Sequence, residues 1–138
     1  MTDIIADTLN RIHTSSARRT RSISLPARKM TEAIIAVLVS EGFVASYAKK
    51  GKKANKHIDV ELRYISRPTR SEREEEIPAL NGFRRLSKPS RRLYVGASDI
   101  PFVKGGYGVS VLSTPQGILT GKDAKAKGVG GELLFEVW

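Results

Sequence analysis

Ile58-Asp59-Val60-Glu61-Leu62-Arg63-Tyr64-Ile65 alternates apolar and charged side chains, and this alternation decides the fold. A period of two puts Ile58, Val60, Leu62 and Tyr64 on one face of a strand and Asp59, Glu61 and Arg63 on the other. That is the pattern of a sheet with one face in a core and one in water. Such a sheet needs a cover, and the residues before it supply one. Thr2 or Asp3 can cap a helix whose apolar positions Ile5, Leu9 and Ile12 follow helical spacing, with Asp7, Asn10, Arg11 and His13 opposite. A polar, basic connector over 15–21 follows. Ile23 and Leu25 then alternate with Ser22 and Ser24 in a short strand stopped by Pro26. A second helix is predicted over 27–40, with Met30, Ile34, Val37 and Leu38 buried and Gly42 ending it. A strand over 43–47 completes this half, and the lysine-rich segment 49–56 is its hairpin tip.

The first half thus reads as an N-terminal α-β-α-β-β lobe over 1–66. A connecting loop follows over 67–80, with Pro68, Pro78 and the acidic run Glu72-Arg73-Glu74-Glu75-Glu76, read as solvated and turned away from any phosphate. The rest, 81–138, is β-rich: strands are predicted over 83–87, 93–97, 109–113, 118–120 and 133–138, with one short helix over 122–127. Gly105-Gly106 and the glycines of 128–131 supply bends where close approach or positive φ is wanted. The expected class is α+β, with two small lobes.

Charge narrows the function. The 138 residues hold 24 Lys plus Arg against 14 Asp plus Glu, a net charge of +10, which repels itself on a compact body unless a polyanion offsets it. Nucleic acid is the first candidate and an anionic membrane surface the second; a basic protein without a special partner is the plain alternative. There is no cysteine, which removes disulfides, thiolate metal sites and cysteine nucleophiles together. No apolar run approaches membrane-spanning length and the first residues lack the pattern of a secretory signal, so the chain is expected to work where it is made. Catalysis is poorly supported. His13 and His57 lack metal-ligand spacing, Ser113 has no credible base, and Gly128-Val129-Gly130-Gly131 lacks the helix and lysine of a phosphate loop. No catalytic residue, metal or cofactor is expected.

Phosphate binding fares better. Segment 84–94 carries Arg84, Arg85, Lys88, Arg91 and Arg92 beside Ser87, Ser90 and Tyr94 in a strand-turn-strand unit. Each phosphate neutralised there releases counterions. Tyr94 either stacks on a splayed base or is a core tyrosine with its hydroxyl at the surface. Ser113-Thr114-Pro115-Gln116-Gly117 offers hydroxyls and amides that can bond base edges, phosphates or a 2′-hydroxyl. The same composition also suits an ordinary β-turn.

In order along the chain, these residues resemble the small-subunit ribosomal protein eight family of bacterial and organellar type. The opening Asp3-Ile4-Ile5-Ala6-Asp7-Thr8-Leu9-Asn10-Arg11-Ile12-His13 is similar to that family's start, and Leu25-Pro26-Ala27 and Glu41-Gly42-Phe43 to the borders of its second helix. Arg85-Leu86-Ser87-Lys88-Pro89-Ser90, Ser113 to Gly117 and Gly128-Val129-Gly130-Gly131-Glu132 match its Arg-Ile-Ser-Lys-Pro-Gly, Ser-Thr-x-x-Gly and Gly-Val-Gly-Gly-Glu elements.

The resemblance implies a ribosomal, non-enzymatic protein that binds the central domain of small-subunit rRNA directly and supports its assembly. Its other partners would be neighbouring small-subunit proteins, with no membrane and no small-molecule substrate. Its place would be the ribosome of a bacterial cytoplasm or of an organelle such as the plastid; a free-standing RNA-binding translational regulator is the alternative. The RNA contacts so implied are Ser113, Thr114, Gln116 and Gly117, flanked by Gly130, Gly131 and Glu132, with Glu132 accepting from a base amino group, a 2′-hydroxyl or a backbone amide. Ser87, Lys88, Arg91, Tyr94, Lys122 and Lys125 support them, and Arg11, Arg18, Arg19 and Arg21 hold a second RNA segment. The chain departs from the pattern at Pro115 and Ser90, where Ser and Gly are usual, and at Lys122 and Lys125, where arginine forks are usual.

Overall fold

The computed structural model describes residues 3–71, 73–101, 103 and 107–138. The chain divides into two compact units, Asp7–Asn81, and Met1–Ala6 with Gly82–Trp138. The architecture is α+β, as the alternation predicted.

Helix α1 (Ile4–Ala17) begins in the second unit and runs on as part of the first from Asp7; Asp3 Oδ1 accepts the Ala6 N–H at 3.2 Å and satisfies one donor of the first turn. The other candidate cap, Thr2, lies outside the described residues. The helix closes on Arg19, which takes the left-handed conformation (φ 62) as Thr20 N–H reaches back to the Ser15 carbonyl. Strands β1 (Ser22–Pro26), β2 (Val44–Lys50) and β3 (His57–Leu62) make an antiparallel sheet in the order β1-β3-β2. Ile58, Val60 and Leu62 are buried, while Asp59 and Glu61 lie on the wetter face. Helix α2 (Lys29–Ser40) lies against β2. It begins two residues later than predicted, and its buried stripe is Thr31, Ile34, Ile35 and Leu38. Met30 and Val37 sit at the margin of that face, not at its centre. Gly42 does end it, in the left-handed region (φ 82) that favours glycine.

Two expectations fail around Arg63. The strand read as continuous over 58–65 breaks there. Arg63 donates to the Gly42 carbonyl at 2.7 Å, its own carbonyl accepts Ala79 N–H at 3.0 Å, and the chain leaves the sheet. Tyr64 therefore opens a separate two-stranded sheet, β4 (Tyr64–Pro68) with β5 (Glu74–Pro78). The acidic run, read as part of a loop, is mostly this second strand, although Glu72 lies outside the described residues. The glutamates tolerate a strand because the partner offers Arg67 to Glu75 at 3.1 Å and Ser66 to Glu74 at 3.2 Å. Two anchors hold the hairpin. Tyr64 OH donates to the Thr20 carbonyl at 2.5 Å, and Arg19 Nη1 donates to the Glu76 carbonyl. Burial pushes the Tyr64 hydroxyl pKa up, with Arg19 and Arg21 offsetting part of the shift.

In the second unit, β6 (Phe83–Arg85) and β7 (Tyr94–Val95) pair along one edge of β10 (Gly131–Val137), and β8 (Val109–Thr114) then β9 (Gly117–Thr120) lie on the other. Helix α3 (Gly121–Lys127) starts at once, because Thr120 Oγ1 accepts the Asp123 N–H at 3.1 Å. It stops at Gly128 in the left-handed region (φ 67). Ala124 packs with Ile100, Leu112 and Leu133 into a buried cluster. The strand predicted over 93–97 is only Tyr94–Val95, followed by a 3₁₀ turn at Ala97–Asp99. The Gly105-Gly106 bend lies outside the described residues. Arg85 is a structural tie: nearly buried, it pairs with Asp3 at 3.1 Å and donates to the Leu134 carbonyl.

Candidate nucleic-acid interface

The site is built on the start of β10. Register places Glu132 opposite Tyr94 on β7 and opposite Ser113 on β8. Directly opposed residues share a face, so Tyr94, Glu132 and Ser113 form a row across three strands. Tyr94 is 71% exposed, which removes the reading of it as a core tyrosine. A flat aromatic face stands open at one end of the row and a hydroxyl-bearing loop at the other.

That loop is a two-residue hairpin. Thr114 and Gly117 pair as the last residues of β8 and the first of β9, with Pro115 and Gln116 between them. Thr114 Oγ1 accepts the Gln116 N–H at 3.1 Å and donates to the Gly117 carbonyl at 2.8 Å. The hydroxyl thus shapes the turn, and its only hydrogen is already engaged. Gly117 adopts φ 107 with open space where a Cβ would stand, so backbone conformation is what demands glycine. Gln116 is exposed and Ser113 half-buried.

The diglycine serves a different purpose from the one its composition suggests. A Cβ on Gly131 would collide with the Ser113 carbonyl oxygen and lie 2.9 Å from its carbon and 3.1 Å from Thr114 Cα. On Gly130 it would collide with the Val95 carbonyl oxygen and lie 2.8 Å from Gly96 Cα. These glycines let β10 enter between two other backbones. They hold the Tyr94 strand and the Ser113 loop close together.

Ser87 and Glu132 are bonded to each other and to the protein's own groups. Ser87 is fully buried; its hydroxyl donates to Glu132 Oε2 and accepts the Leu93 N–H at 3.2 Å. The same Oε2 accepts from Arg92 Nη1 at 3.0 Å. Arg92, read from the sequence only as one of the cations of this segment, proves to be the partner of Glu132. Between Ser87 and Arg92, Lys88 and Arg91 exchange two backbone hydrogen bonds of 2.9 Å across Pro89-Ser90, a tight exposed turn. Ser90 is not among the residues with positive φ, as its replacement of glycine required. Lys122 and Lys125 are exposed on α3.

Electrostatics follow from this geometry. Burial alone raises the Glu132 carboxyl, but hydrogen bonds from Ser87 and Arg92, with the charges of Arg92 and Arg85, outweigh it and hold the group below its usual value. Because the folded pKa lies below the unfolded one, this contribution to stability is complete above the ordinary carboxylate range. It is lost as pH falls through the lowered value. Ser87→Ala is expected to move the Glu132 titration upward, as read by NMR of the side-chain carbonyl; an unmoved titration contradicts the assignment.

The other predicted residues belong to the first unit. Arg11 pairs with Asp7 at 3.5 Å, and Arg19 is engaged with the Glu76 carbonyl. Arg18 and Arg21 are exposed. The lysine tip is narrower than predicted, because β2 continues through Lys50 and leaves 51–56 as the turn. His57 lies 3.4 Å from Asp59, and His13 contacts the Asn81 carbonyl at 3.2 Å.

A family model described as Ribosomal protein S8 matches residues 3–138. Proteins named small ribosomal subunit protein uS8 are similar over full length. That of Dictyoglomus thermophilum is 42% identical over 138 residues, covering 100% of this chain and 98% of the relative. That of Corynebacterium jeikeium is 41% identical with the same coverage. That of Thermus aquaticus is 39% identical over 139 residues, covering 100% of this chain and 99% of the relative.

Proposed function

The chain belongs to the ribosomal protein S8 family, and from that premise we propose that it binds the central domain of small-subunit rRNA directly and supports assembly there. The family places it as a structural constituent of the small ribosomal subunit, with ribosomal RNA and ribosomal proteins as its partners and no catalytic role. The observation that best supports direct binding is the row Tyr94–Glu132–Ser113, which ends in an exposed aromatic face on one side and the Ser113–Gly117 loop on the other.

In this reading Tyr94 stacks on an unpaired base, while Ser113, Gln116 and the loop backbone bond base edges or 2′-hydroxyls. Lys88, Arg91, Lys122 and Lys125 neutralise phosphates around them. Thr114 and Gly117 shape the loop. Arg11, Arg18, Arg19 and Arg21 contact a second RNA segment. Thr114→Ala is then expected to weaken binding to a central-domain fragment by roughly 1–2 kcal/mol, through loss of the turn's two hydrogen bonds. Filter binding at fixed salt reads this, and unchanged affinity would leave the hydroxyl no part in recognition.

Sedimentation of a cell extract tests the assignment as a whole. The protein should travel with small subunits and their precursors. Recovery mainly in light, RNA-free fractions would favour the free-standing regulator instead.

A further inference from the structure

We infer that Glu132 is a positioning residue, whose carboxylate ties Ser87 and Arg92, and with them the Lys88–Arg91 turn and Tyr94, to the strand that carries Ser113. The inference rests on the RNA-binding reading of this face and goes beyond it. A residue that residue-by-residue resemblance would make a direct RNA contact is assigned an internal role.

Three observations carry it. The first is connectivity. Along the edge of β10, the chain between β6 and β7 leaves the sheet over residues 88–92 and returns to it. Leu86 and Ser87 N–H reach the carbonyls of Leu134 and Leu133, and Leu133 N–H reaches the Leu93 carbonyl. The excursion between Ser87 and Leu93 is closed from within by Glu132 Oε2, which accepts from Ser87 Oγ at its start and from Arg92 Nη1 at its end. Ser87 Oγ in turn accepts the Leu93 N–H.

The second is burial. The Glu132 side chain is 15% exposed and Ser87 fully buried, whereas Arg92 keeps 49% of its side chain in solvent. The two Ser87 bonds are part-buried, where less water competes with them, and the Arg92 bond lies at the surface edge of the carboxylate. The third is charge. A carboxylate within a phosphate-binding face repels the ligand, so an acid retained there needs a compensating task. Fixing one arginine and one backbone excursion is such a task.

The test is a double-mutant cycle on affinity for a central-domain rRNA fragment, below the unfolding temperature of every variant. Ser87→Ala and Glu132→Ala should each weaken binding about tenfold, the size of one lost buried hydrogen bond. The double variant should be within about threefold of Glu132→Ala, because the two act through one contact. Ser87→Thr keeps the hydroxyl and should restore the affinity. Amide exchange at Leu93 should quicken in Ser87→Ala.

The sign for Glu132→Ala is diagnostic. Removing an anion from this face strengthens RNA binding unless the carboxylate has a task there. Unchanged or tighter binding by the folded variants overturns the inference. So does a double variant as weak as the product of the singles, which marks Glu132 as an independent RNA contact. Failure of the unmodified protein to bind the fragment would instead defeat the RNA-binding reading itself.

Discussion

Gly131→Ala is expected to cost about 3 kcal/mol or more in folding stability, a larger loss than any other single substitution considered for this fold. The reason is what a Cβ would meet. Its nearest neighbours are the Ser113 carbonyl and Thr114 Cα, which are backbone atoms of a paired strand and not the movable end of a side chain. Relief requires β10 to withdraw from β8 or the hairpin loop to open, and either breaks ladder hydrogen bonds. Gly117→Ala provides the comparison. Space there is open and only φ 107 is unfavourable, so the cost should stay near 1 kcal/mol, the ordinary penalty for a left-handed non-glycine residue. Urea unfolding separates the two, since a change in midpoint at constant slope reports stability. If Gly131→Ala costs no more than Gly117→Ala, close backbone approach is not what selects glycine at the start of β10.

The second large effect concerns binding. Replacing Lys88, Arg91, Lys122 and Lys125 together by glutamine should reduce the log–log salt slope by about 3, at about 0.7 to 0.9 for each phosphate released. In 0.1 M salt that corresponds to an affinity loss of about a thousandfold, since each contact contributes about five- to eightfold there. All four side chains are exposed, so the fold should survive and the loss should appear in binding alone. Titration of an rRNA fragment at several salt concentrations reads both quantities. A thousandfold loss with an unchanged slope would mean that the lysines and arginine act through structure. An unchanged affinity would mean that the phosphates are met elsewhere.

Much of this architecture was legible because period carries it. The alternation Ile58-Asp59-Val60-Glu61-Leu62, the helical spacing of Ile5, Leu9 and Ile12, Gly42 at a helix end and Gly128 as a positive-φ bend all describe local chemistry, and all reappear in the structure. What was illegible is non-local. Arg63 and Tyr64 continue the alternation perfectly, yet they leave the sheet because their partners, the carbonyls of Gly42 and Thr20, lie 21 and 44 residues away. The acidic run looked like a solvated loop because its counter-residues Arg67 and Ser66 matter only once β4 and β5 are in register.

The same distinction divides the candidate site. Composition pointed to the segments 87–94, 113–117 and 130–132 as candidates, but could not say which side chains turn outward. Ser87 and Ser113 are chemically identical in sequence. One is fully buried against Glu132 and the other borders an open loop. Gly130 and Gly131 resemble a ligand cradle in composition, whereas their neighbours are the protein's own carbonyls. Resemblance pointed to the candidate interface, and burial and hydrogen bonding separate an exposed side chain such as Tyr94 from Ser87 and Glu132, which bond within the protein.

Chemical footprinting of naked small-subunit rRNA, with and without the protein, tests the central claim most directly. Protections should appear within the central domain and fade when Lys88, Arg91, Lys122 and Lys125 are replaced together. Protections scattered across all domains, or absent at concentrations where the protein is folded and in excess, would contradict direct and specific recognition of that RNA.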